Sequence, residues 1–410
     1  MRNRISRRHV LAAAAAGLAL APGAAVAAPG SAERSARGSG RTPLRVATYN
    51  ASLNREKQGQ LVRDLSTPHD EQARAIAEVI QINNPDILLV NEFDHDEDGR
   101  AVDLFRRHYL EVSQNGRTPV HYPYAFTAPV NTGVPTGLDL NGDGTSDGPD
   151  DAFGFGEFPG QYGMVVYSRF PIITEDVRTF QKLLWKDMPQ NLLPTDYYSA
   201  EAAAILRLSS KSHWDVPVQV GGSVLHVLAS HPTPPSFDGP EDRNGRRNHD
   251  EIRFWVDYLS PGRSSRWIVD DAGERGGLHP SSSFVVLGDF NSDPEDGDSY
   301  PEAIDTLLRH PRVQDPRPSS QGAVEAAEKQ GGANTSHRTD SRYDTADFSD
   351  DPAPGNLRVD YVLPARSLQV SGSAVFWPLQ GMPGSELTGE APFPTSDHRL
   401  VRVDLLVSGR

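Results

Sequence analysis

Two polar side chains directly follow an apolar run in the second half of the sequence. The run 284–287 is typical of a buried strand, and Gly288 allows the backbone to turn at its end. Asp289 and Asn291 lie two positions apart, so their side chains point to the same side of an extended chain. A carboxylate and a carboxamide presented together suit a hard cation or a phosphoryl oxygen. The alternative is a simple turn rich in Asp and Asn. Other parts of the sequence must decide between the two interpretations.

Other predicted strands carry polar residues at comparable positions. These are strand 44–50 with Asn50, strand 87–90 followed by Glu92, strand 224–230 followed by His231, strand 357–363 with Asp360, and strand 400–405 preceded by Asp397 and His398. Carboxylates and imidazoles bind metal ions and transfer protons. A lone histidine is more often structural than catalytic, but repeated strand-end positions favour one shared site at the edge of a sheet.

Amphipathic helices separate these strands. One is predicted to open at Thr67-Pro68, with an apolar face formed by Ala73, Ile76, Ala77 and Ile80. A second follows the polar loop 232–249, and a short helix spans 301–310. Strand, helix and strand in succession, with the strand ends carrying the polar residues, predict an α/β fold.

The polar loop 232–249 contains three arginines, Arg243, Arg246 and Arg247. Guanidinium groups bind phosphate through paired hydrogen bonds, so these residues are candidates for a substrate-phosphate clamp. The alternative is a solvated loop that flanks the next helix. The segment 315–356 is also polar and is predicted to be irregular.

An acidic, glycine-rich loop lies within an irregular insertion at 129–160. Oxygen-bearing residues recur there with the spacing of a calcium loop, and Gly142 occupies the position of the sharp turn. The candidate ligands are Asp139, Asn141, Asp143, Thr145, Asp147 and Asp150. Asp150 stands where a bidentate Glu is usual, and no amphipathic helix clearly flanks the loop. We therefore expect a surface loop stabilised by Ca²⁺, with a solvated acidic loop as the alternative.

The N-terminus has the composition of an export signal. Residues 1–27 combine four arginines, an alanine-rich apolar stretch and a small-residue cleavage motif, and 6–11 resemble a twin-arginine signal. An ordinary secretory signal is the alternative. Residues 28–42 are predicted to be a flexible linker, which leaves 43–408 as a single domain. We expect export from the cell without a transmembrane segment, because the apolar stretch is short and rich in alanine.

The net charge limits the classes of partner that the protein can attract, and the cysteine content limits its cross-links and metal sites. The net charge of −15 becomes −19 without residues 1–27, which hold four arginines and no acidic residue. No dense basic run remains, so general attraction to nucleic acid or to an anionic membrane is not favoured. The chain has no cysteine, which excludes disulfides and thiolate metal sites.

In their order along the chain, these motifs resemble those of the endonuclease/exonuclease/phosphatase superfamily. The matching stretches are Tyr49-Asn50, Leu89-Val90-Asn91-Glu92, Ser230-His231, Gly288-Asp289-Phe290-Asn291, Arg358-Val359-Asp360-Tyr361 and Ser396-Asp397-His398. Each is short, but six in the right order are specific, and the resemblance spans residues 44–407. It implies a four-layer α/β sandwich in which two packed mixed sheets are flanked by helices.

The resemblance also implies a metal site. Glu92 corresponds to the principal metal ligand, with Asn50 and Asp397 beside it. The implied cofactor is Mg²⁺, or Mn²⁺, because a hard dication on oxygen ligands balances the charge that builds on phosphoryl oxygens.

The remaining matched residues have implied catalytic roles. His398 resembles the general base, and Asp360 the carboxylate that orients it. Asp289 and Asn291 resemble the pair that orients the attacking water or the scissile phosphate. His231 matches a histidine that contacts the phosphoryl oxygens.

The resemblance leaves the substrate open. We expect a metal-dependent phosphoesterase that acts as a monomer on a small or lipid-linked phosphate ester. An extracellular nuclease is the first alternative, although the mature chain lacks an evident basic surface for nucleic acid. A catalytically inactive binding module is the second, although the set of Glu92, Asp289, Asp360 and His398 is complete.

Overall fold

The structure, a computed structural model, describes residues 41–408. The predicted export signal and residues 28–40 of the predicted linker lie outside the described residues. The last two linker residues belong to a strand instead, because Arg41 and Thr42 pair with Ser408 and Val407. The prediction placed the start of the folded chain two residues too late.

Six strands form the first sheet: β1 (Arg41–Leu53), β2 (Ile87–Phe93), β3 (Tyr124–Phe126), β4 (Met164–Ser168), β12 (Gln369–Val375) and β13 (Val401–Ser408). Their order is β12-β13-β1-β2-β4-β3. β1 and β2 are parallel, and the other neighbours are antiparallel. The carboxyl ends of β1 and β2 therefore meet at one edge of the sheet.

Five strands form the second sheet: β5 (Arg178–Thr179), β6 (His213–Val220), β7 (Ser223–Ser230), β8 (Ser283–Asp289) and β11 (Asp360–Pro364). Their order is β11-β8-β7-β6-β5, and β7 and β8 are its parallel pair. A separate two-stranded ribbon consists of β9 (Ala346–Asp347) and β10 (Asn356–Leu357). Both large sheets are therefore mixed, and each places two parallel strands near its centre.

Helices cover the outer faces of the two sheets. They are α1 (Gln60–Asp64), α2 (Glu71–Asn83), α3 (Arg100–Phe105), α4 (Ala200–Ile205), α5 (Arg243–Leu259), α6 (Ala303–Leu308), α7 (Gln321–Gln330) and α8 (Ser385–Thr388). A π-helical turn, Arg106–Leu110, follows α3. None of the described helices is long and apolar enough to cross a membrane.

Side-chain alternation in β2 shows the layers. Ile87 and Leu89 belong to the core shared with the second sheet, whereas Leu88 and Val90 pack with α2 and its neighbours. This happens because successive residues of a strand face opposite sides. The predicted four-layer α/β sandwich, two packed mixed sheets with helices outside, is confirmed.

α2 begins later than predicted. It starts at Glu71 rather than at Thr67-Pro68, because the side chain of Asp70 caps it and accepts a hydrogen bond from the Ala73 amide at 2.7 Å. The predicted apolar face, which includes Ala73, is buried.

The segment 315–356 is more regular than predicted. It contains α7, two 3₁₀ turns and the ribbon strands β9 and β10. Ser320 caps α7 by accepting from the Gly322 amide, and Ala323 and Ala327 form the buried side of the helix. Because that side consists of small residues, the segment's low apolar content concealed it.

Gly288 allows a close approach of β8 to β7. Its φ is 151°, and a Cβ atom added there would lie 2.0 Å from the Ser230 carbonyl oxygen. We expect Gly288→Ala to lower the free energy of unfolding by at least about 2 kcal/mol, because the backbone must shift. Denaturant titration measures this. Gly116→Ala is the control, since Gly116 also has a positive φ, 79°, but no atom within 4 Å. Equal losses in both variants would contradict the steric explanation.

Candidate active site

Residues from both sheets converge where the parallel strands end. The Asn50 side chain, from β1, donates from Nδ2 to Glu92 Oε1 at 3.0 Å and to Asp289 Oδ2 at 3.0 Å. Glu92 lies inside β2 rather than after it, and its φ of 57° is left-handed. Such strained backbone is common at functional sites. One amide thus links the two sheets through a pair of carboxylates.

A buried asparagine that the sequence analysis did not single out positions this junction. The Asn91 Oδ1 atom accepts from the Asp289 amide at 3.3 Å and from Thr48 Oγ1 at 3.4 Å. Its Nδ2 atom donates to the Ser230 carbonyl at 3.4 Å. Asn91 was visible as part of a matching motif, but a pattern along one strand does not reveal contacts to another sheet.

His398 forms a buried pair with Asp360. The His398 Nδ1 atom lies 2.9 Å from Asp360 Oδ2, and its Nε2 atom lies 3.6 Å from Asp289 Oδ2. Asp360 also accepts from Thr345 Oγ1 at 2.8 Å. Phe348 packs edge-on against the imidazole, with ring centroids 5.3 Å apart. A carboxylate that holds one nitrogen of an imidazole leaves the other free for proton transfer.

Charges around the imidazole change its acidity. Burial alone would lower the pKa of His398, but the negative charges of Asp360 and Asp289 outweigh burial and raise it well above its ordinary value. Burial would likewise raise the pKa of Asp289, but the charge of His398 and the side-chain hydrogen bonds from His231 and Asn50 lower it. Asp289 therefore stays ionised, and its charge stabilises a proton on His398.

The other predicted residues lie around Asp289. His231 Nε2 is 3.3 Å from Asp289 Oδ2, and burial, together with the charge of Lys211, lowers the His231 pKa to about 4. Asn291 adopts a left-handed φ of 50°, and its Nδ2 donates to the Pro232 carbonyl at 3.1 Å. His231 is therefore neutral at neutral pH.

Asp397 is half-buried beside the pair of sheets. The negative charge of Asp397 is one of the causes that raise the pKa of Glu92 and of His398. The Ser396 hydroxyl lies 3.4 Å from Asp397 Oδ1. The structure thus brings together all eight residues predicted for the metal and for catalysis.

The acidic groups fit a divalent cation. Glu92 and Asp289 converge on one amide, and burial raises the pKa of Glu92, which means that its negative charge is poorly compensated there. A nearby positive charge would favour the ionised form. Asp289, Asp360 and His398 also offer one ligand atom each within 4.8 Å of one another. As placed, Asn50 turns its Nδ2 to the carboxylates, and its Oδ1 accepts from the Ser52 amide.

The arginines of the predicted phosphate clamp have other roles. They lie in the first two turns of α5, not in a loop. The Arg247 guanidinium donates to the backbone carbonyls of Phe153, Arg207 and Leu208. Arg243 pairs with Glu241. Tertiary contacts thus hold Arg247, whereas the ion pair of Arg243 is a local one. The phosphate clamp stays a prediction for all three arginines.

The acidic loop folds around its own aspartates. Asp139 accepts from the amides of Gly142 at 2.6 Å and Gly144 at 2.9 Å. Asp143 accepts from both the amide and the hydroxyl of Thr145, at 2.8 Å each. The predicted calcium site stays a prediction.

The end of the loop differs from the expected pattern. Asp147 and Asp150 are exposed, whereas Asp151 is buried. The Asp151 carboxylate accepts hydrogen bonds from the amides of Leu140 at 2.8 Å and Gly148 at 3.1 Å. Asp151, not Asp150, therefore closes the loop onto the body of the protein.

A groove of about 1000 Å³ opens beside Asp397. Its walls carry six carboxylates and one ammonium group: Glu325, Asp347, Asp350, Glu386, Glu390, Asp397 and Lys329. Two of the carboxylates are paired, Glu390 with Lys329 and Asp347 with Arg399. The approach to the candidate site from this side is therefore strongly negative.

Comparison with solved structures agrees with the fold. An endonuclease/exonuclease/phosphatase from Beutenbergia cavernae has a TM-score of 0.50 and 17% identity, over 90% of this chain and 72% of its own. Truncated TDP2 from Caenorhabditis elegans has a TM-score of 0.43 and 17% identity, over 89% of this chain and 98% of its own. Sphingomyelinase C from Streptomyces griseocarneus has a TM-score of 0.42 and 16% identity, over 88% of this chain and 99% of its own. Of these three likenesses, the first supports the fold, and none bears on the reaction or the substrate.

The family assignment rests on the sequence. No curated protein matches the chain significantly. The profile of the Endonuclease/Exonuclease/phosphatase family matches residues 47–398. Members of that family are hydrolases of phosphoesters and are generally metal-dependent. With all six motifs inside the matched range or at its edge, the chain belongs to the Endonuclease/Exonuclease/phosphatase family.

Proposed function

We propose that the chain is an exported, divalent-metal-dependent phosphoesterase that uses a water molecule activated by His398. The observation that carries the proposal is the buried Asp360–His398 pair, whose free nitrogen faces Asp289 at 3.6 Å. Mg²⁺ or Mn²⁺ would be held by Glu92 and Asp289, with Asn50 and Asp397 beside them. When bound, the cation stabilises charge on the phosphoryl oxygens.

The side chains have distinct tasks in this reaction. His398 Nε2 accepts the proton of the attacking water, and Asp360 holds the imidazole in the tautomer that leaves this nitrogen free. Asp289 and Asn291 orient the water or the phosphate. His231, which is neutral, faces the phosphoryl oxygens. A complete set of this kind argues against an inactive binding module.

The charge of the acidic groove favours small phosphate esters over nucleic acid as substrates. Four carboxylates there lack an ion pair within residues 41–408: Glu325, Asp350, Glu386 and Asp397. A polyanion that follows the groove would be repelled, whereas a small or lipid-linked phosphate ester needs only the metal centre. This favours the small ester over the nuclease alternative. We also expect a monomer.

A substrate panel tests this ranking. Wild-type protein with Mg²⁺ is assayed on DNA, RNA, phospholipid head groups, sugar phosphates and inositol phosphates. We expect turnover of one of the small or lipid-linked esters and little cleavage of nucleic acid. Rapid cleavage of DNA or RNA, with little activity on the esters, would reverse the ranking.

Export through the twin-arginine pathway is part of the proposal. It is supported by the basic and apolar segments of residues 1–27 and by the lack of cysteine, which suits folding in a reducing compartment before export. Fractionation of cells that express the full chain, compared with Arg7→Lys/Arg8→Lys, tests it. Equal export of both would point to an ordinary secretory signal.

Calcium binding by the acidic loop has a separate test. One Ca²⁺ would offset the repulsion among Asp139, Asp143, Asp147 and Asp150 and would add about 2.7 kcal/mol of stability at 100-fold excess over Kd. We expect Ca²⁺ to raise the melting temperature of wild type but not of Asp143→Ala. The exposed residue Asp176 provides the control, Asp176→Ala, which should respond like wild type. Equal gains in all three proteins would show that the loop is only solvated.

A further inference from the structure

A lysine that the proposed chemistry does not use lies buried at the candidate site. Lys211 is 6% exposed. Within residues 41–408 its ammonium group has no hydrogen-bond acceptor and no ion pair, whereas its backbone carbonyl accepts from the Asn131 amide at 3.0 Å. The side chain is thus largely desolvated, and an ammonium group in such a position gains free energy when an anion reaches it.

Sheet register places Lys211 beside the predicted phosphate contact. β6 and β7 are antiparallel, with His213 opposite Ser230. Lys211, two residues before His213, therefore lies next to the residues that follow Ser230, the first of which is His231. The sequence alone does not show that Lys211 and His231 are neighbours, because they are about twenty positions apart along the chain.

Glu251 locks this arrangement. Its carboxylate accepts from the Ser210 amide at 2.7 Å and from the Thr233 amide at 2.6 Å. The two backbone segments that carry Lys211 and His231 are thereby tied to the same side chain of α5. Each oxygen of Glu251 therefore binds a backbone amide, and no hydrogen bond joins Glu251 to the ammonium of Lys211 within residues 41–408.

Two of the three acids whose charges act on Lys211 belong to the candidate site. Burial lowers the pKa of Lys211, and the acids whose charges raise it are Glu251, Glu92 and Asp289. The positive charge of Arg247 lowers it further. His231 also has a buried Nδ1 atom without a partner in the described part of the chain. Two unpartnered polar groups thus flank Asp289 on the side of β6 and β7.

We propose that the ammonium group of Lys211 binds a phosphoryl oxygen of the substrate, next to His231. This inference rests on the proposed function, and it adds to the site a catalytic residue that none of the six motifs contains. Phosphate supplies the acceptor that this ammonium lacks within residues 41–408. Lys211 thereby adds a fixed positive charge where negative charge increases during attack of water on phosphorus.

The test compares phosphate binding, stability and turnover in Lys211→Met and Lys211→Gln. Inorganic phosphate is titrated calorimetrically into protein saturated with Mg²⁺. We expect both variants to bind phosphate at least ~10-fold more weakly than wild type, as for loss of a charged hydrogen bond. We expect kcat/KM to fall at least ~10²-fold. The melting temperature of Lys211→Met should equal or exceed that of wild type, because an apolar group replaces a charge on a largely desolvated side chain.

Lys182→Met is the matched control, since Lys182 is exposed. It should leave all three measurements unchanged. Phosphate affinity that is retained in either folded Lys211 variant would overturn the inference. A clear fall in melting temperature in both Lys211 variants would do so as well, because the ammonium would then stabilise the fold. Phosphate binding needs no turnover, so wild type that binds phosphate through Lys211 but hydrolyses no ester would contradict only the proposed function.

Discussion

Replacing His398 with alanine is expected to lower kcat by at least ~10²-fold, the range found when a general base is lost. The imidazole is buried against Asp360, and no second histidine lies on the same carboxylate within residues 41–408 to replace it. Steady-state kinetics on the best ester of the panel measures the effect. KM should change less than kcat, because the base acts on the water and not on the bound ester.

His226→Ala is the matched control. His226 Nδ1 lies 2.7 Å from Asp215 Oδ1, so it forms the same type of pair, but in the middle of β7. Its loss should leave kcat within ~3-fold of wild type, since it contacts none of the predicted catalytic residues. If His398→Ala kept wild-type kcat, water activation by this imidazole would be wrong.

The same pair predicts a pH effect. The base must be neutral to accept a proton, so activity should rise with pH through the pKa of His398. Among the charges that raise this pKa, that of Asp360 is the largest. Asp360→Asn removes it and should lower the pKa, which moves the acidic limb of the kcat/KM profile to lower pH. A limb that stays in place would show that another group titrates there.

Removing the divalent cation should abolish activity. Glu92 and Asp289 bring two negative charges to one buried point, and water attack adds further charge on the phosphate. We expect EDTA to stop turnover, and an excess of Mg²⁺ or Mn²⁺ to restore it. Full activity in protein freed of metal would end the proposed mechanism.

Glu92→Gln tests the principal ligand. We expect the Mg²⁺ concentration for half-maximal activity to rise at least ~10-fold, because the amide keeps the shape but loses the charge. Glu97→Gln is the control, since Glu97 is exposed on the loop after β2. Identical Mg²⁺ titrations for wild type and Glu92→Gln would contradict the assignment of Glu92 as a ligand.

The strands and the residues at their ends were predictable from sequence. Runs such as 87–90 and 284–287 are apolar on both faces, which identifies buried strands. Carboxyl ends of parallel strands share one edge of a sheet, so the meeting of Asn50 and Glu92 followed from the pattern. The order of six short motifs then predicted the family.

Features that depend on tertiary contacts were not predictable. The role of the Arg247 side chain is one example, because the carbonyls that accept its hydrogen bonds, such as that of Phe153, are distant in sequence. Thr345, in the segment predicted to be irregular, holds Asp360 through a contact across 15 residues. Lys211 is an ordinary lysine in the sequence, and only the pairing of β6 with β7 and the contacts of Glu251 reveal its burial.

The division of the site between two sheets has a consequence for inactivation. Asn50 and Glu92 belong to the first sheet, and Asp289 and Asp360 belong to the second. Neither sheet contains a complete set, and the contacts between them at this junction are a few hydrogen bonds of 3.0–3.4 Å. A slight sliding of one sheet over the other would separate the reacting groups while every strand stayed paired. In mild denaturant, turnover should therefore vanish before circular dichroism detects any loss of secondary structure.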